Sequence, residues 1–239
     1  MADLYVNEVF RSFQGEGLSA GMPCIFLRLA GCNLHCTWCD TPYTWNFGHG
    51  HHKRHGLPMF RQQNEVHRHT VEHVGQLIGS PVNKRLVITG GEPLLQQKAL
   101  IELSERLQYL TDVEIETAGT IAPLPRLTSF ATRFNVSPKL ASSGNNIRSH
   151  RYRPDVLEAF EATGKAVFKF VIADPMEDEQ EIKEIINECS LRTVLVMPEG
   201  STRFRQLAEM DRVWEMAQRR GWIFTPRLHI LAYGDRRGV

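Results

Sequence analysis

The chain has 239 residues, with 28 basic and 27 acidic side chains and a formal net charge of +1 at pH 7. This balance excludes the strongly basic surface of a nucleic-acid-binding protein and gives no attraction to an anionic membrane. No apolar run is long enough to span a membrane, and the first residues lack the basic-then-apolar pattern of a secretion signal, so we expect a cytoplasmic protein.

Strand-like apolar runs alternate with amphipathic helical patterns along the chain. The predicted strands are residues 24–29, 85–89, 113–116, 134–136, 166–172 and 193–196. The predicted helices are residues 70–78, 94–109, 155–163, 177–189 and 203–220. This alternation is typical of a parallel sheet with right-handed crossovers, and six strands are too few to close an eight-stranded barrel. We therefore predict an α/β fold: a partial, open TIM-like barrel of about six parallel strands with outer helices, in a single domain over residues 1–239.

Three cysteines follow the first predicted strand with the spacing C-x3-C-x2-C: Cys32, Cys36 and Cys39. Three clustered thiolates can bind three irons of a [4Fe–4S] cluster, which leaves the fourth iron open to a substrate or cofactor. The alternatives are a zinc site with His35 as fourth ligand, or thiols that lie together by chance. Because the chain has no second CxxC pair, the spacing favours the cluster. The two other cysteines, Cys24 and Cys189, fit buried apolar positions.

Polar or glycine-rich segments follow five of the six predicted strands. Because the carboxyl ends of parallel strands meet at one edge of the sheet, we expect these segments to form one site. They are the cysteine loop, TGGEP at 89–93, ETAG at 116–119, SPK at 137–139 and MPEG at 197–200.

The cysteine spacing, with Trp38 before the last cysteine, resembles the radical S-adenosylmethionine (SAM) superfamily, as does the GGEP sequence further along. The resemblance implies that the open iron holds SAM and that an electron from the cluster cleaves it to a 5′-deoxyadenosyl radical. Adjacent glycines allow a backbone to approach a ligand closely, although a turn leading into a helix also explains them. The implied SAM-binding residues are Trp38, Cys39, Asp40, Gly91, Glu92, Ser137, Pro138 and Lys139.

Three shorter sequences narrow this resemblance: FQGEG at 13–17, RLAGC at 28–32 and CDT at 39–41. Together they resemble the 7-carboxy-7-deazaguanine synthase family, over residues 6–92 and more thinly through Lys139 and the tail. These enzymes are ring-contracting carbon–nitrogen lyases of 7-deazapurine (queuosine-type) biosynthesis. The resemblance implies conversion of 6-carboxy-5,6,7,8-tetrahydropterin to 7-carboxy-7-deazaguanine with loss of ammonia.

The implied substrate is a flat heterocycle with a carboxylate at its reacting end. An arginine matches a carboxylate in geometry, which favours Arg28, and an amide with a carboxylate suits the mixed donor and acceptor edge of a pterin. Singly, these positions also fit a polar turn, a strand-edge arginine or a packed histidine. The implied substrate-binding residues are Phe13, Gln14, Gly15, Glu16, Arg28, Thr89 and His229.

The resemblance further implies a Mg²⁺ ion between the substrate carboxylate and Thr41, with Asp40 supporting it. A hard cation that keeps several waters fits one protein hydroxyl plus a substrate carboxylate, although a turn after the cluster loop also explains the sequence. An electron donor of the flavodoxin type and a homodimer are implied as partners.

Two segments are open to more than one interpretation. Residues 47–70 resemble an insertion in the form of a solvated, mobile surface loop, with a second metal site as the alternative. The segment contains His49, His51, His52, His55, His67 and His69. The tail at 234–239 is either frayed or folded over the pocket.

Two other functions fit the cysteine motif. A glycyl-radical-enzyme activase would need a protein partner, and the FQGEG and CDT sequences argue against it. A non-enzymatic iron–sulfur electron carrier gains nothing from an open iron beside a glycine-rich loop, so the pattern favours the synthase.

Overall fold

The computed structural model describes residues 2–48, 56–79 and 84–239. In these ranges nine strands form a single sheet. They are β1 (Asp3–Phe13), β2 (Pro23–Leu29), β3 (His67–Thr70), β4 (Arg85–Gly90), β5 (Asp112–Thr117), β6 (Arg133–Val136), β7 (Ala166–Ile172), β8 (Val194–Pro198) and β9 (Ile223–Phe224). Their order across the sheet is β3-β1-β2-β4-β5-β6-β7-β8-β9.

The centre of the sheet is parallel from β2 to β9, which confirms the predicted open α/β barrel. Six of these strands match the six predicted ones within two residues at each end. The sequence did not predict β1, β3 or β9. Strand β1 pairs antiparallel with β2, and β3 pairs antiparallel with β1, so an antiparallel ribbon extends one edge.

The two faces of the parallel strands differ in polarity because side chains alternate along a strand. In β5, Val113 and Ile115 belong to the main hydrophobic core, whereas Glu114 and Glu116 lie on the opposite face. The main core also contains helix residues such as Phe160, so the helices cover the apolar face. The opposite face forms the polar interior of the open barrel and carries Arg28, Thr89, Glu114, Glu116, Asn135 and Lys169.

The outer helices follow the predicted alternation with two corrections. They are α1 (Gln62–Glu65), α2 (Val71–Ile78), α3 (Gln97–Ser104), α4 (Pro125–Phe130), α5 (Arg148–Arg151), α6 (Pro154–Ala162), α7 (Pro175–Cys189), α8 (Arg203–Ala208), α9 (Met210–Arg220) and α10 (Leu228–Tyr233). The helix predicted over 94–109 ends early, at Ser104, and the one predicted over 203–220 is two helices that meet at Glu209. None of the described helices is long and apolar enough to cross a membrane.

Two large aromatic side chains of the helix predicted over 203–220 are exposed. Phe204 is 81% exposed and Trp214 is 55% exposed, whereas the buried face of α9 consists of Val213, Met216 and Ala217. The buried position of α8 is instead Gln206, whose Nε2 donates to the carbonyls of Pro198 and Gly200.

The end of the histidine-rich segment is ordered structure instead of the expected surface loop. His67 and His69 lie on β3, which pairs with β1 at the edge of the sheet, and α1 precedes it. A four-residue strand forms here because β1 has a second edge, opposite the one that pairs with β2, whose backbone groups need hydrogen-bond partners. The other four histidines, 49, 51, 52 and 55, lie outside the described residues.

Candidate active site

A cavity opens at the carboxyl ends of the parallel strands. Its wall includes every predicted site residue except Glu92 and Pro138. The predicted residues on the wall are Phe13, Gln14, Gly15, Glu16, Arg28, Cys32, Cys36, Trp38, Cys39, Asp40, Thr41, Thr89, Gly91, Ser137, Lys139 and His229. The strand ends therefore converge as expected, and the cysteine loop meets the segment at 13–16 in one cavity.

Each thiol of the cysteine loop accepts one N–H hydrogen bond. The backbone N–H of Leu34 donates to Cys32 Sγ at 3.4 Å. The side chains of Asn145 and Trp45 donate to Cys36 Sγ at 3.2 Å and to Cys39 Sγ at 3.3 Å. Donors aimed at sulfur favour the thiolate over the thiol.

Burial opposes the charged form of these cysteines. It raises the pKa of Cys39 to about 11 and raises the pKa values of Cys32 and Cys36 as well. A positive charge is therefore needed before all three thiols ionise together, because neighbouring thiolates also repel one another.

Two adjacent glycines join the tip of β4 to the cysteine loop. A Cβ on Gly91 would lie 2.1 Å from the carbonyl oxygen of Gly31 and 2.9 Å from Cys32 Cβ. Gly90 has a φ of +146°, and a Cβ there would lie 2.2 Å from the Leu29 carbonyl oxygen. The glycines thus allow the two backbones to touch, in addition to any contact of Gly91 with a ligand.

Glu92 lies behind the cavity wall and is fully buried. Its carboxylate accepts from the Thr117 hydroxyl at 2.8 Å and from the backbone N–H groups of Ala118 and Leu94 at 2.8 and 3.0 Å. Burial raises the pKa of Glu92, and these donors oppose the shift. Its contacts tie the tip of β4 to the tip of β5.

A carboxylate that the sequence did not single out organises the cavity floor. Glu116 on β5 accepts from Gln14 Nε2 at 3.0 Å and from the Thr89 hydroxyl at 2.7 Å. Because an ionised carboxylate only accepts, both partners must point their donors toward it. The Gln14 amide oxygen is thereby turned away from Glu116, and the Glu16 N–H approaches that oxygen at 3.3 Å.

Glu16 lies between two buried cations. Lys169 on β7 forms an ion pair with one of its oxygens, and Arg227 Nε lies 3.2 Å from the other. Arg227 also contacts Asp40 at 3.4 Å. Burial alone would raise the pKa of Glu16, but Lys169, Arg227 and His229 hold that pKa well below its ordinary value, so Glu16 is a carboxylate.

The predicted carboxylate partner, Arg28, is held from one side. Its Nε donates to Glu8 at 2.8 Å, and the same carboxylate oxygen accepts from the Tyr43 hydroxyl at 3.0 Å. Its guanidinium carbon lies 5.8 Å from the centre of the Phe10 ring. The side chain is thus fixed at the cavity wall with its guanidinium charged.

The segment from the end of β6 faces the cysteine loop. Lys139 Nζ donates to the Ser137 hydroxyl at 2.9 Å and lies 5.7 Å from the Trp38 ring centre. The buried indole N–H of Trp38 has no partner among the described residues, so it is a donor available to a bound molecule.

The chain's last helix and tail close one side of the cavity. The His229 ring packs against Gly15, where a Cβ would lie 2.0 Å from its Nδ1, and the Leu228 N–H donates to the Gly15 carbonyl at 2.9 Å. The tail is folded over the cavity: residues 235–239 line it, and Arg237 lies 3.6 Å from the Tyr43 ring centre.

Comparison with known proteins identifies the family. Residues 13–120 match the model of the 4Fe-4S single cluster domain. Over 236 residues the chain is 34% identical to a 7-carboxy-7-deazaguanine synthase of Pyrobaculum aerophilum, covering 98% of this chain and 96% of the relative. A synthase of the same name from Rhodopirellula baltica is 32% identical and covers 100% of this chain and 90% of its own. The chain belongs to the 7-carboxy-7-deazaguanine synthase family.

Solved structures agree with this assignment. QueE from Escherichia coli superposes with a TM-score of 0.70 and 25% identity, covering 95% of each chain. Streptococcus suis SuiB, at a TM-score of 0.53 and 14% identity, covers 84% of this chain and 48% of its own, and shares the fold alone. The family assignment favours the predicted synthase over the activase and the electron carrier.

The donor set fits the iron–sulfur cluster that this radical SAM family implies. Three cysteines line the same cavity, Cys36 buried and the other two partly exposed, and each accepts an N–H hydrogen bond. The described residues contain no group of three His, Cys, Asp or Glu side chains that could hold a single metal ion. A [4Fe–4S] cluster does not require such a group, because each cysteine binds a different iron. His35, the fourth ligand of the zinc alternative, lies outside the cavity wall with its ring 4.5 Å from that of Trp45.

Sequence reasoning gave no role to four polar residues of this synthase-family cavity, although it placed the first of them in the ETAG strand tip: Glu116, Asn135, Lys169 and Arg227. One signal was available for the first three. A charged or amide side chain inside an otherwise apolar strand, such as Lys169 in β7, is costly to bury without a partner. Such a residue therefore indicates a polar interior.

Proposed function

We propose that the protein converts 6-carboxy-5,6,7,8-tetrahydropterin to 7-carboxy-7-deazaguanine with loss of ammonia, using a [4Fe–4S] cluster and SAM. The observation that carries the proposal is the meeting of the cysteine loop with the segment at 13–16 in one cavity. When bound, the cluster and SAM supply radical hydrogen abstraction and, after hydrogen return, SAM is regenerated. The protein positions the substrate and excludes competing reactants.

The substrate carboxylate is assigned to Arg28. Its contact with Glu8 uses Nε, and the two Nη groups are the donors that meet a carboxylate in a paired arrangement. The pterin edge is assigned to Gln14 and Glu16, because one offers an amide oxygen and the other a fixed carboxylate. Phe13, Gly15, Thr89 and His229 complete the proposed substrate wall.

SAM is assigned to the side of the cavity nearer the cluster. Lys139 with Ser137 and the indole N–H of Trp38 offer donors there, and Gly91 offers backbone. Asp40 and Cys39 border the same side. Glu92 and Pro138 are assigned a supporting role, because they shape the loops from behind the wall.

Magnesium is assigned to Thr41, whose hydroxyl lies 3.8 Å from Cys39 Sγ on the cavity wall. We expect Thr41→Val to raise the Mg²⁺ concentration for half-maximal activity by at least about tenfold, because one oxygen ligand is lost. Thr44→Val is the control, since the Thr44 hydroxyl donates to the Thr41 carbonyl and lies outside the cavity wall. Equal magnesium requirements in both variants would remove Thr41 from this assignment.

The proposal is tested anaerobically on reconstituted protein with SAM, a reductant, Mg²⁺ and the pterin, with the product followed by mass and absorbance. We expect many turnovers per SAM. Cys36→Ala should lose the cluster and all turnover, whereas Cys189→Ala, a buried cysteine outside the cavity, should keep both. Slow release of 5′-deoxyadenosine without product would keep the radical SAM class and reject this substrate.

The same assignment to the synthase family supports proposals on the domain organisation, oligomeric state, electron donor and location of the protein. We propose a single domain, a homodimer, a flavodoxin-type electron donor and a cytoplasmic location. The open iron must receive an electron from outside the chain, and a reduced cluster is most stable in a reducing compartment.

A further inference from the structure

Asn135 has a buried side-chain amide in the cavity wall, and the oxygen of that amide accepts no hydrogen bond from the described residues. It lies on β6, beside Glu116 of β5 in the strand register, and is 5% exposed. Its Oδ1 has no hydrogen-bond partner among the described residues, and the side chain lines the cavity.

The orientation of this amide is fixed by a charged group beneath it. Asn135 Nδ2 donates to Glu114 Oε2 at 2.8 Å. Glu114 pairs through Oε1 with Arg85 at 2.7 Å and with Arg133 at 3.2 Å, so it is an ionised, accept-only group. A flipped amide would set two acceptors against each other. Oδ1 is thereby held away from Glu114.

The hydrogen bonds of nearby polar groups go to acceptors other than Oδ1. The N–H of Gly17, whose backbone lies next to Asn135, donates to the Thr225 hydroxyl at 2.9 Å. Gln14 Nε2 donates to Glu116, and Lys169 Nζ donates to Glu16. Because none of the described residues donates to Oδ1, this oxygen is available to accept a hydrogen bond from a molecule in the cavity.

An unpartnered amide oxygen is not sufficient by itself. Asn7 and Asn46 also have buried Oδ1 atoms without partners, yet neither lines the cavity. Asn135 differs because it lines the cavity, has a fixed orientation and shares its wall with Gln14 and Glu16.

We propose that Asn135 is a specificity-determining residue that accepts a hydrogen bond from an N–H group on the pyrimidine edge of the bound pterin. This inference rests on the proposed function. The 2-amino group and ring N–H groups of a pterin are donors on that edge. A heterocycle that offered only acceptors there would leave Oδ1 buried and unpaired, and the cavity would disfavour it.

The test measures the Kd of 6-carboxy-5,6,7,8-tetrahydropterin by calorimetry on the anaerobic, cluster-loaded protein with SAM bound. Leu matches Asn in size and removes the acceptor, so Asn135→Leu should weaken pterin binding by about ten- to hundredfold. The Kd of SAM, measured separately, should stay within about twofold, and turnover should show a raised KM with kcat little changed. A purely structural role would lower the melting temperature and weaken both ligands together.

Asn7→Leu is the matched control, because it removes a buried, unpartnered amide oxygen on a strand outside the cavity. If Asn135→Leu does not fold, Asn135→Ala removes the amide oxygen without adding apolar bulk beside Glu114, and the same loss of affinity is expected. Pterin affinity within about twofold of wild type in a folded variant overturns the inference.

The outcomes for the wild type separate the two proposals. Wild-type protein that binds the pterin but forms no product rejects the proposed function, while the ratio of Kd values still decides the role of Asn135. Wild-type protein that does not bind the pterin overturns both.

Discussion

Gly91→Ala is expected to prevent normal assembly of the cluster loop and to lower turnover by about a hundredfold or more. The added Cβ would lie 2.1 Å from the Gly31 carbonyl oxygen, a backbone atom that cannot rotate away. The cysteine loop must therefore shift, and a shift of about 1 Å at a reacting centre costs on the order of a hundredfold in rate. Iron content and the absorbance of the reconstituted cluster measure the first effect directly.

The matched control is Gly75→Ala in α2. A Cβ there meets side-chain carbons of Arg106 and Leu103 at 3.9 Å, which is ordinary contact. Replacing a glycine inside a helix by alanine stabilises the fold by about 0.5–1 kcal/mol, so this variant should keep its cluster and melt at a slightly higher temperature. Equal iron content in both variants would show that the contact between Gly91 and Gly31 is dispensable.

The iron content of Gly91→Ala would also show whether the GGEP sequence has a structural role in addition to a contact with a ligand. The glycines permit contact between β4 and the cysteine loop, and Glu92 ties β4 to β5 through the Thr117 hydroxyl. The GGEP sequence, which resembles a cofactor-binding motif, thus also connects the carboxyl ends of β2, β4 and β5. Sequence alone offered a ligand contact or a turn leading into a helix, and it did not predict the packing against Gly31, because that contact depends on a loop distant along the chain.

The sequence predicted six of the parallel strands because each is a short apolar run, and five of them are followed by a polar or glycine-rich tip. It did not predict β1, where Glu8 and Arg11 interrupt the apolar pattern. That strand pairs with β2 along one edge and holds Glu8 against Arg28, so it is stabilised by tertiary pairing and not by local preference.

Contacts between residues distant along the chain were also missed in the cavity. The residues matched by short motifs were brought together, whereas the charged partners of Glu16 were missed. Arg227 lies beyond the last parallel strand, and its contacts with Glu16 and Asp40 cross most of the chain. No local pattern encodes such a contact. Lys169 was visible as a lone charge within an apolar strand, but its partner was not.

Lys169→Met is expected to make substrate affinity strongly dependent on pH. In the wild type, burial tends to raise the pKa of Glu16, and Lys169 is the largest influence that lowers it. Because the folded-state pKa lies below the ordinary value of 4.5, the wild-type ion pair is intact at every pH above that value and is lost only in more acidic solution.

Without Lys169, the opposing effect of burial raises the pKa of Glu16, although Arg227 and His229 still lower it in part. The carboxyl group then takes up a proton at a higher pH than in the wild type, and once protonated it ceases to be a fixed acceptor. We expect kcat/KM for the pterin to fall by about ten- to hundredfold at neutral pH, with a further fall on acidification that the wild type lacks.

Glu16→Gln distinguishes this electrostatic role from simple loss of packing. The amide does not titrate, so this variant should lose affinity to a similar extent at every pH, whereas the Lys169→Met profile should slope. Removing one partner of a buried ion pair also costs about 3–5 kcal/mol of stability, so the melting temperature of Lys169→Met should fall. A flat profile in a folded Lys169→Met protein would mean that Arg227 and His229 keep Glu16 ionised without Lys169. Lys169 would then contribute to the stability of the barrel interior and not to the protonation state of the residue that reads the substrate.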